Sequence, residues 1–247
     1  MGRATVILLL SWLLFFSGTI NRGAFNTGLV AWYPLHEIGG RQSFDRTPYH
    51  NNGQLFNNAQ NVKYGLSVPG AGTTDYSQIQ SKSQLQITNS FTISIWIKAN
   101  NQSQASKHIF SKVNDANTNN DYAILYRYTV NNVEFYSGGY SGSDPRTGTS
   151  IDVSDTKWHH IVYTYNGSDW CGYKDGVQIF ATTRTFSLPT GNNTLAIGSN
   201  NSFGNAFQGY VRDIRMYNRY MYGSEVRWLY QYEYDISFAI SNIFNIK

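Results

Sequence analysis

The chain has 247 residues and a formal net charge of +4, and only 14% of its residues are charged. That charge is too small and too dispersed for the Lys/Arg stripe of a nucleic-acid-binding surface, which excludes that class of partner. Hydrophobic residues reach 41%, with 19 Tyr, 14 Phe and 6 Trp, enough for one sizeable core.

In chain order, residues 1–23 read as a secretory signal. Arg3 supplies the positive start, and Val6 to Phe16 form an apolar run of the expected length. That run is shorter than the roughly 20 residues of a spanning helix. The small residues Ser17, Gly18, Thr19 and Gly23 follow without a clear Ala-x-Ala, so an uncleaved anchor is the alternative. A signal implies a secreted, extracellular protein. Residues 25–235 then read as one domain, with no linker and no internal repeat.

Within it, side chains of period two predict strands at Leu29–Leu35, Phe91–Lys98, Ile109–Lys112, Tyr122–Tyr128, Asn132–Tyr136, Trp158–Tyr165, Trp170–Lys174, Val177–Thr182, Thr194–Gly198 and Phe207–Tyr217. Asp175-Gly176 between two such runs predicts a tight hairpin, because a type I′ turn needs positive φ at both central residues. In the strand before it, Ile161, Tyr163 and Tyr165 share one face, and His160, Val162 and Thr164 the other. One short helix is expected over Ser224–Gln231, with Ser224 as cap and Val226, Leu229 and Tyr230 at helical spacing. The tail, residues 236–247, is apolar but too short to cross a bilayer. Many short strands with almost no helical period argue an all-β fold: an antiparallel jelly-roll sandwich of two sheets with one short C-terminal helix.

Four segments carry a resemblance. They are Gly28-Leu29-Val30-Ala31-Trp32-Tyr33-Pro34-Leu35, Phe91-Thr92-Ile93-Ser94-Ile95-Trp96-Ile97-Lys98, the Trp158-His159-His160-Ile161-Val162-Tyr163 strand running on to Lys174-Asp175-Gly176-Val177, and Gly209-Tyr210-Val211-Arg212-Asp213-Ile214-Arg215. In this order they resemble the laminin-G-like domains of the concanavalin-A-like lectin-glucanase jelly-roll superfamily. The chain departs from the pattern in three places. Trp32-Tyr33 reverses the usual Tyr-Trp, which sends the larger ring to the opposite face of the strand. Pro48-Tyr49-His50 stiffens the first loop, and Gly172 stands where a large apolar residue is common.

The resemblance implies fold more than function, since the superfamily holds lectins, adhesion modules and glucanases. Its glucanase branch uses a Glu-x-Asp-x-x-Glu strand to place two carboxylates for hydrolysis. Here Glu37, Glu134, Glu225 and Glu233 are the only glutamates, and none opens a full Glu-x-Asp-x-x-Glu run. No Gly-x-Ser-x-Gly elbow occurs. An enzyme is therefore disfavoured. The resemblance also implies a calcium ion where the first loop meets the closing strand, held by Asp45, Asn51 and Asp213; hard cations take such oxygen ligands. The plainer reading makes Asp45 an Asx-turn residue and pairs Asp213 with Arg212 or Arg215.

Adjacent His159 and His160 face opposite sides of a strand and cannot chelate one ion together. One is expected to pack inside and the other to be partly exposed. Cys171 is the only cysteine, so no internal disulfide forms. In a strand it reads as a small buried hydrophobe, with intermolecular pairing as the sharper alternative. Sugar-stacking candidates are Tyr136, Tyr140 and Trp170, because glycines at 138 and 139 let a ligand approach the backbone. Asn101, Asn166, Asn192 and Asn200 open Asn-x-Ser/Thr triplets and are candidate glycosylation sites. Together these readings point to a secreted, non-catalytic recognition module for a glycan or an extracellular protein. The alternative is an adhesive or structural surface protein with no small ligand.

Overall fold

The protein's structure, a computed structural model, describes residues 25–70, 74–87, 89–100, 107–113, 122–137, 150–183, 185, 191–200 and 205–232. The expected signal segment, the tail, Asn101 and Tyr140 lie outside these residues. The strands are β1 (Leu29–Tyr33), β2 (Gln42–Ser43), β3 (Gly53–Phe56), β4 (Gln60–Val62), β5 (Gly65–Val68), β6 (Tyr76–Ile79), β7 (Phe91–Ala99), β8 (Lys107–Ser111), β9 (Tyr122–Arg127), β10 (Asn132–Ser137), β11 (Ile151–Asp152), β12 (Trp158–Tyr165), β13 (Asp169–Lys174), β14 (Val177–Thr183), β15 (Leu195–Ile197) and β16 (Gly209–Tyr217). A helix, α1, covers residues 223–232.

One sheet runs β14-β13-β12-β7-β16-β5-β4, with β1 also paired to β16. The other runs β11-β10-β9-β8-β15-β6-β3-β2. Every named strand pair is antiparallel. This is the expected jelly-roll sandwich.

All ten expected strands are present. The first stops at Tyr33 because Pro34 follows and Leu35 takes a φ of 63°, outside the β region. Six further strands, β2 to β6 and β11, have two to four residues each. They are too short for a period-two pattern to show.

The core lies between the sheets. Ile161, Tyr163 and Tyr165 point into it from β12, as strand parity requires. There Tyr163 stacks on Trp170 at 5.3 Å and 9°, and Phe91, Phe135 and Phe180 complete the aromatic cluster. Gly172 does not thin this core. A Cβ built on it would sit 2.1 Å from the Phe180 ring, so the ring fills the space an apolar side chain would take.

The opposite face of β12 is buried as well. Val162, Cys171, Tyr173, Tyr217, Met221, Val226 and Leu229 form a second cluster beneath α1. Cys171 is thus a free, buried thiol in apolar company, 3.6 Å from the Tyr220 hydroxyl. The helix is not capped by Ser224. The Tyr222 N–H donates to Glu225 Oε2 at 2.9 Å, and the Val226 N–H bonds the Tyr222 carbonyl, so Tyr222 opens the helix and Glu225 reaches back to it.

Both histidines are buried, against the expectation that one is exposed, because each face of β12 is covered. The Asp175-Gly176 turn is as expected, with φ of 52° and 76°. No helix among the described residues is long and apolar enough to cross a membrane.

Candidate functional site

The expected calcium ligands form a different structure. Asp45 Oδ1 accepts the Trp32 N–H at 3.0 Å and the Thr47 N–H at 2.9 Å. Its Oδ2 accepts the Thr47 hydroxyl at 2.9 Å and the Asn51 N–H at 3.0 Å. Asp213 Oδ1 accepts the Trp32 indole N–H at 2.6 Å and Arg215 Nε at 3.1 Å. The Asn51 carbonyl accepts the Tyr33 hydroxyl at 2.8 Å.

Protein donors thus take four bonds to Asp45 and two to Asp213. A calcium shell needs about six to eight oxygens turned toward one point. Among the described residues no three His, Cys, Asp or Glu side chains converge on one. Asp213 Oδ2 is buried and has no hydrogen-bond partner among the described residues. Trp32 ties the first loop to the closing strand through Asp45 and Asp213 Oδ1. It can do so because the reversed Trp32-Tyr33 order sends the indole to the outer face, opposite Arg215, and Tyr33 into the core.

Two of the expected sugar-stacking residues, Trp170 and Tyr136, are buried, and Tyr140 lies outside the described residues. Trp170 is wholly buried in the inter-sheet aromatic cluster, because its partner across β12 and β13 is the core-facing Tyr165. Its ring has no face for a ligand. Tyr136 is buried with Val113, Ala123 and Leu125. Of the glycosylation candidates, Asn166 and Asn192 are exposed, whereas Asn200 is fully buried and cannot carry a glycan in the folded state.

The outer face of the β14–β4 sheet presents a set the sequence did not single out. Cross-strand register puts Gln60, Ser67, Tyr210, Lys98 and Trp158 in one row over β4, β5, β16, β7 and β12. The next row holds Arg212, Trp96 and His160. The Arg212 guanidinium lies 4.4 Å from the Trp158 ring centre and 4.8 Å from that of Trp96, so it contacts both indoles. Tyr210 flanks Trp158 at 6.3 Å. In the row beyond, Arg215 stacks over Trp32 at 4.8 Å.

Helix α1 divides this face. Tyr230 stacks on Trp96 at 5.7 Å and on His160 at 5.9 Å, closing one end. Trp158, Tyr210, Arg212 and Lys98 remain half-exposed at the other.

The histidines beside the face have opposite electrostatics. Burial pushes His160 down to about 3, so it is neutral, and its Nε2 shares a 2.7 Å hydrogen bond with Ser94 Oγ. Burial alone would lower His159 too. Its bonds to Asp175 Oδ2 at 2.8 Å and Asp155 Oδ1 at 2.6 Å outweigh that and raise it above the usual histidine value.

Trp96 and Ile161 stand on neighbouring strands of this sheet. Both are buried, but Trp96 lies on the outer face, not between the sheets.

A family model described as the concanavalin A-like lectin/glucanases superfamily matches residues 71–227. Among solved structures, a receptor-binding domain aligns with a TM-score of 0.67 at 16% identity, covering 85% of this chain and 52% of that one. A botulinum neurotoxin serotype D ligand-binding domain solved with N-acetylneuraminic acid aligns at 0.62 and 16%, covering 83% and 50%. The binding domain of botulinum neurotoxin DC solved with rat synaptotagmin II aligns at 0.64 and 15%, covering 83% and 51%. The chain spans about half the length of these solved chains, and at such identity the likeness is one of fold. The curated proteins yield no match.

Proposed function

The chain belongs to the concanavalin A-like lectin/glucanase superfamily, and on that premise we propose that it is a non-catalytic recognition module that binds a glycan at the open end of its outer sheet face. The observation behind this reading is the row Gln60, Ser67, Tyr210, Lys98 and Trp158, of which Gln60 is exposed and the other four are partly exposed. Glycan recognition needs flat aromatic surface beside fixed polar groups. Trp158 and Tyr210 supply the first; Gln60, Ser67, Lys98 and Arg212 supply the second. The row contains no carboxylate pair of the kind that cleaves glycosidic bonds, which favours binding over hydrolysis. Two of the solved relatives named above were solved with a sugar acid and with a protein, and a glycan partner agrees with the first. The apolar N-terminal run supports an extracellular setting.

The test is a glycan array probed with the purified protein, followed by titration of the best ligand against Trp158→Ala. The expected result is retained glycan and a loss of about five- to thirtyfold in the variant, since a stacked aromatic anchor contributes on the order of 1–2 kcal/mol. An empty array, or a variant that binds like the parent, would refute the reading.

A further inference from the structure

We propose that the glycan is acidic, with a carboxylate or sulfate on the sugar that meets Arg212. This rests on the reading that the open face binds a glycan. Its independent support is the charge and the ordering of that face.

The two rows at the open end contain two permanent cations, Lys98 and Arg212, and no carboxylate. The third residue able to carry charge there, His160, is neutral beneath α1. One row further on, the Asp213 carboxylate faces Arg215 and the Trp32 indole, so it offsets the charge of Arg215. The Asp175 carboxylate, which accepts the His160 backbone N–H at 2.9 Å, lies at the covered end of the second row; Lys98 and Arg212 are the charges of the two rows at the partly exposed end, and an anionic ligand complements them.

Arg212 is also held in place before any ligand arrives. Its guanidinium contacts the Trp158 and Trp96 rings, at 4.4 and 4.8 Å. Stacking on an aromatic ring engages a face of the planar group, while hydrogen bonding uses its edges. A guanidinium fixed in this way loses little rotamer freedom on binding. Its fork of N–H groups matches the paired oxygens of a carboxylate or sulfate. Lys98, between Tyr210 and Trp158 in the neighbouring row, adds a second positive charge on a flexible stem. A neutral sugar would call for neither feature.

The experiment presents the protein with matched pairs: oligogalacturonate and its methyl ester, sialyllactose and lactose, and a sulfated glycosaminoglycan fragment and its desulfated form. Each is titrated at low and at high sodium chloride. The expected result is at least one acidic member held about tenfold more tightly than its neutral twin at low salt, with the preference shrinking as salt screens it. Arg212→Gln and Lys98→Gln should each reduce the acid-to-neutral ratio. Lys98 is half-exposed, so its variant keeps the test open if Arg212→Gln fails to fold. Neutral twins that bind as tightly as the acids, or a ratio unchanged in both variants, would overturn the inference while leaving glycan binding intact. Binding to neither member of any pair would instead overturn the functional reading, and this inference with it. The uronate, sialoside and sulfate arms separate the sources of negative charge.

Discussion

The two ends of one sheet face have opposite fates. At one end α1 lies on Val162, Tyr173 and Tyr217 and seals a second small core with Met221, Val226 and Leu229. At the other, the same strands β7, β12 and β16 hold Lys98, Trp158, Tyr210 and Arg212 half-exposed. Along β12 the outward residues run Trp158, His160, Val162, Thr164, from wet to dry. The covered end is packed and the other end is partly exposed, and substitutions at the two ends should separate stability from the proposed glycan binding.

The largest expected effect is at the boundary, on His160. Its folded value of about 3 lies below that of an unfolded histidine. The unfolded chain therefore binds the extra proton as pH falls below about 6.5, and the folded chain does not until near 3. Stability contributed by the neutral ring is present above about 6.5 and lost progressively between there and pH 3. The total loss is roughly 4–5 kcal/mol at about 1.4 kcal/mol per unit. Urea unfolding from pH 7 to 4 should show this slope, and His160→Gln should flatten it. His159 has the opposite sign. Its raised value means its contribution is present below about 6.5 and fades as pH rises through the folded value. A variant with the parent's acid slope would place the proton uptake elsewhere.

Next comes Leu229→Ala, which empties a fully buried position under α1. It should cost about 2–5 kcal/mol in chemical denaturation and leave the glycan titration unmoved. Gly176→Val combines a φ of 76° with a Cβ 3.1 Å from the Tyr230 ring. It should cost more than about 1 kcal/mol; a neutral result would mean that the hairpin is not tight. Tyr210→Ala, at the open end, should change stability by less than about 1 kcal/mol yet weaken glycan binding. The smallest effect is expected from calcium. A chelator should leave the melting temperature of metal-stripped protein unchanged, because protein donors already hold both oxygens of Asp45 and the Oδ1 of Asp213. A chelator-induced drop would restore an ion to that junction.

What the sequence revealed depended on range. The Asp175-Gly176 hairpin was legible because two adjacent residues state the backbone they need, and the long strands because parity is local. The burial of Trp170 had a local signal that a ligand role overlooked: it lies opposite Tyr165 across a tight turn, so it shares the core face. The open face was not legible. Lys98, Trp158 and Tyr210 meet only through the register of three strands distant in sequence. Both faces of β12 are apolar enough to be buried, so parity alone did not say which end a helix would cover. The Trp32 bridge at the expected ion site was half-legible. The reversal to Trp32-Tyr33 showed a ring moved to the outer face, but that its N–H would meet Asp213 required the bulged closing strand, where Asp213 takes a φ of 44°.

The central claim is that the uncovered end of this face takes the ligand, and the indole N–H signals of the tryptophans test it most directly. They are assigned by single Trp→Phe variants and followed as the tightest glycan from the array is added. The Trp158 signal should move in proportion to saturation while that of Trp170, sealed between the sheets, stays still. A saturating ligand that leaves Trp158 unmoved would contradict the account and put the binding site on another surface.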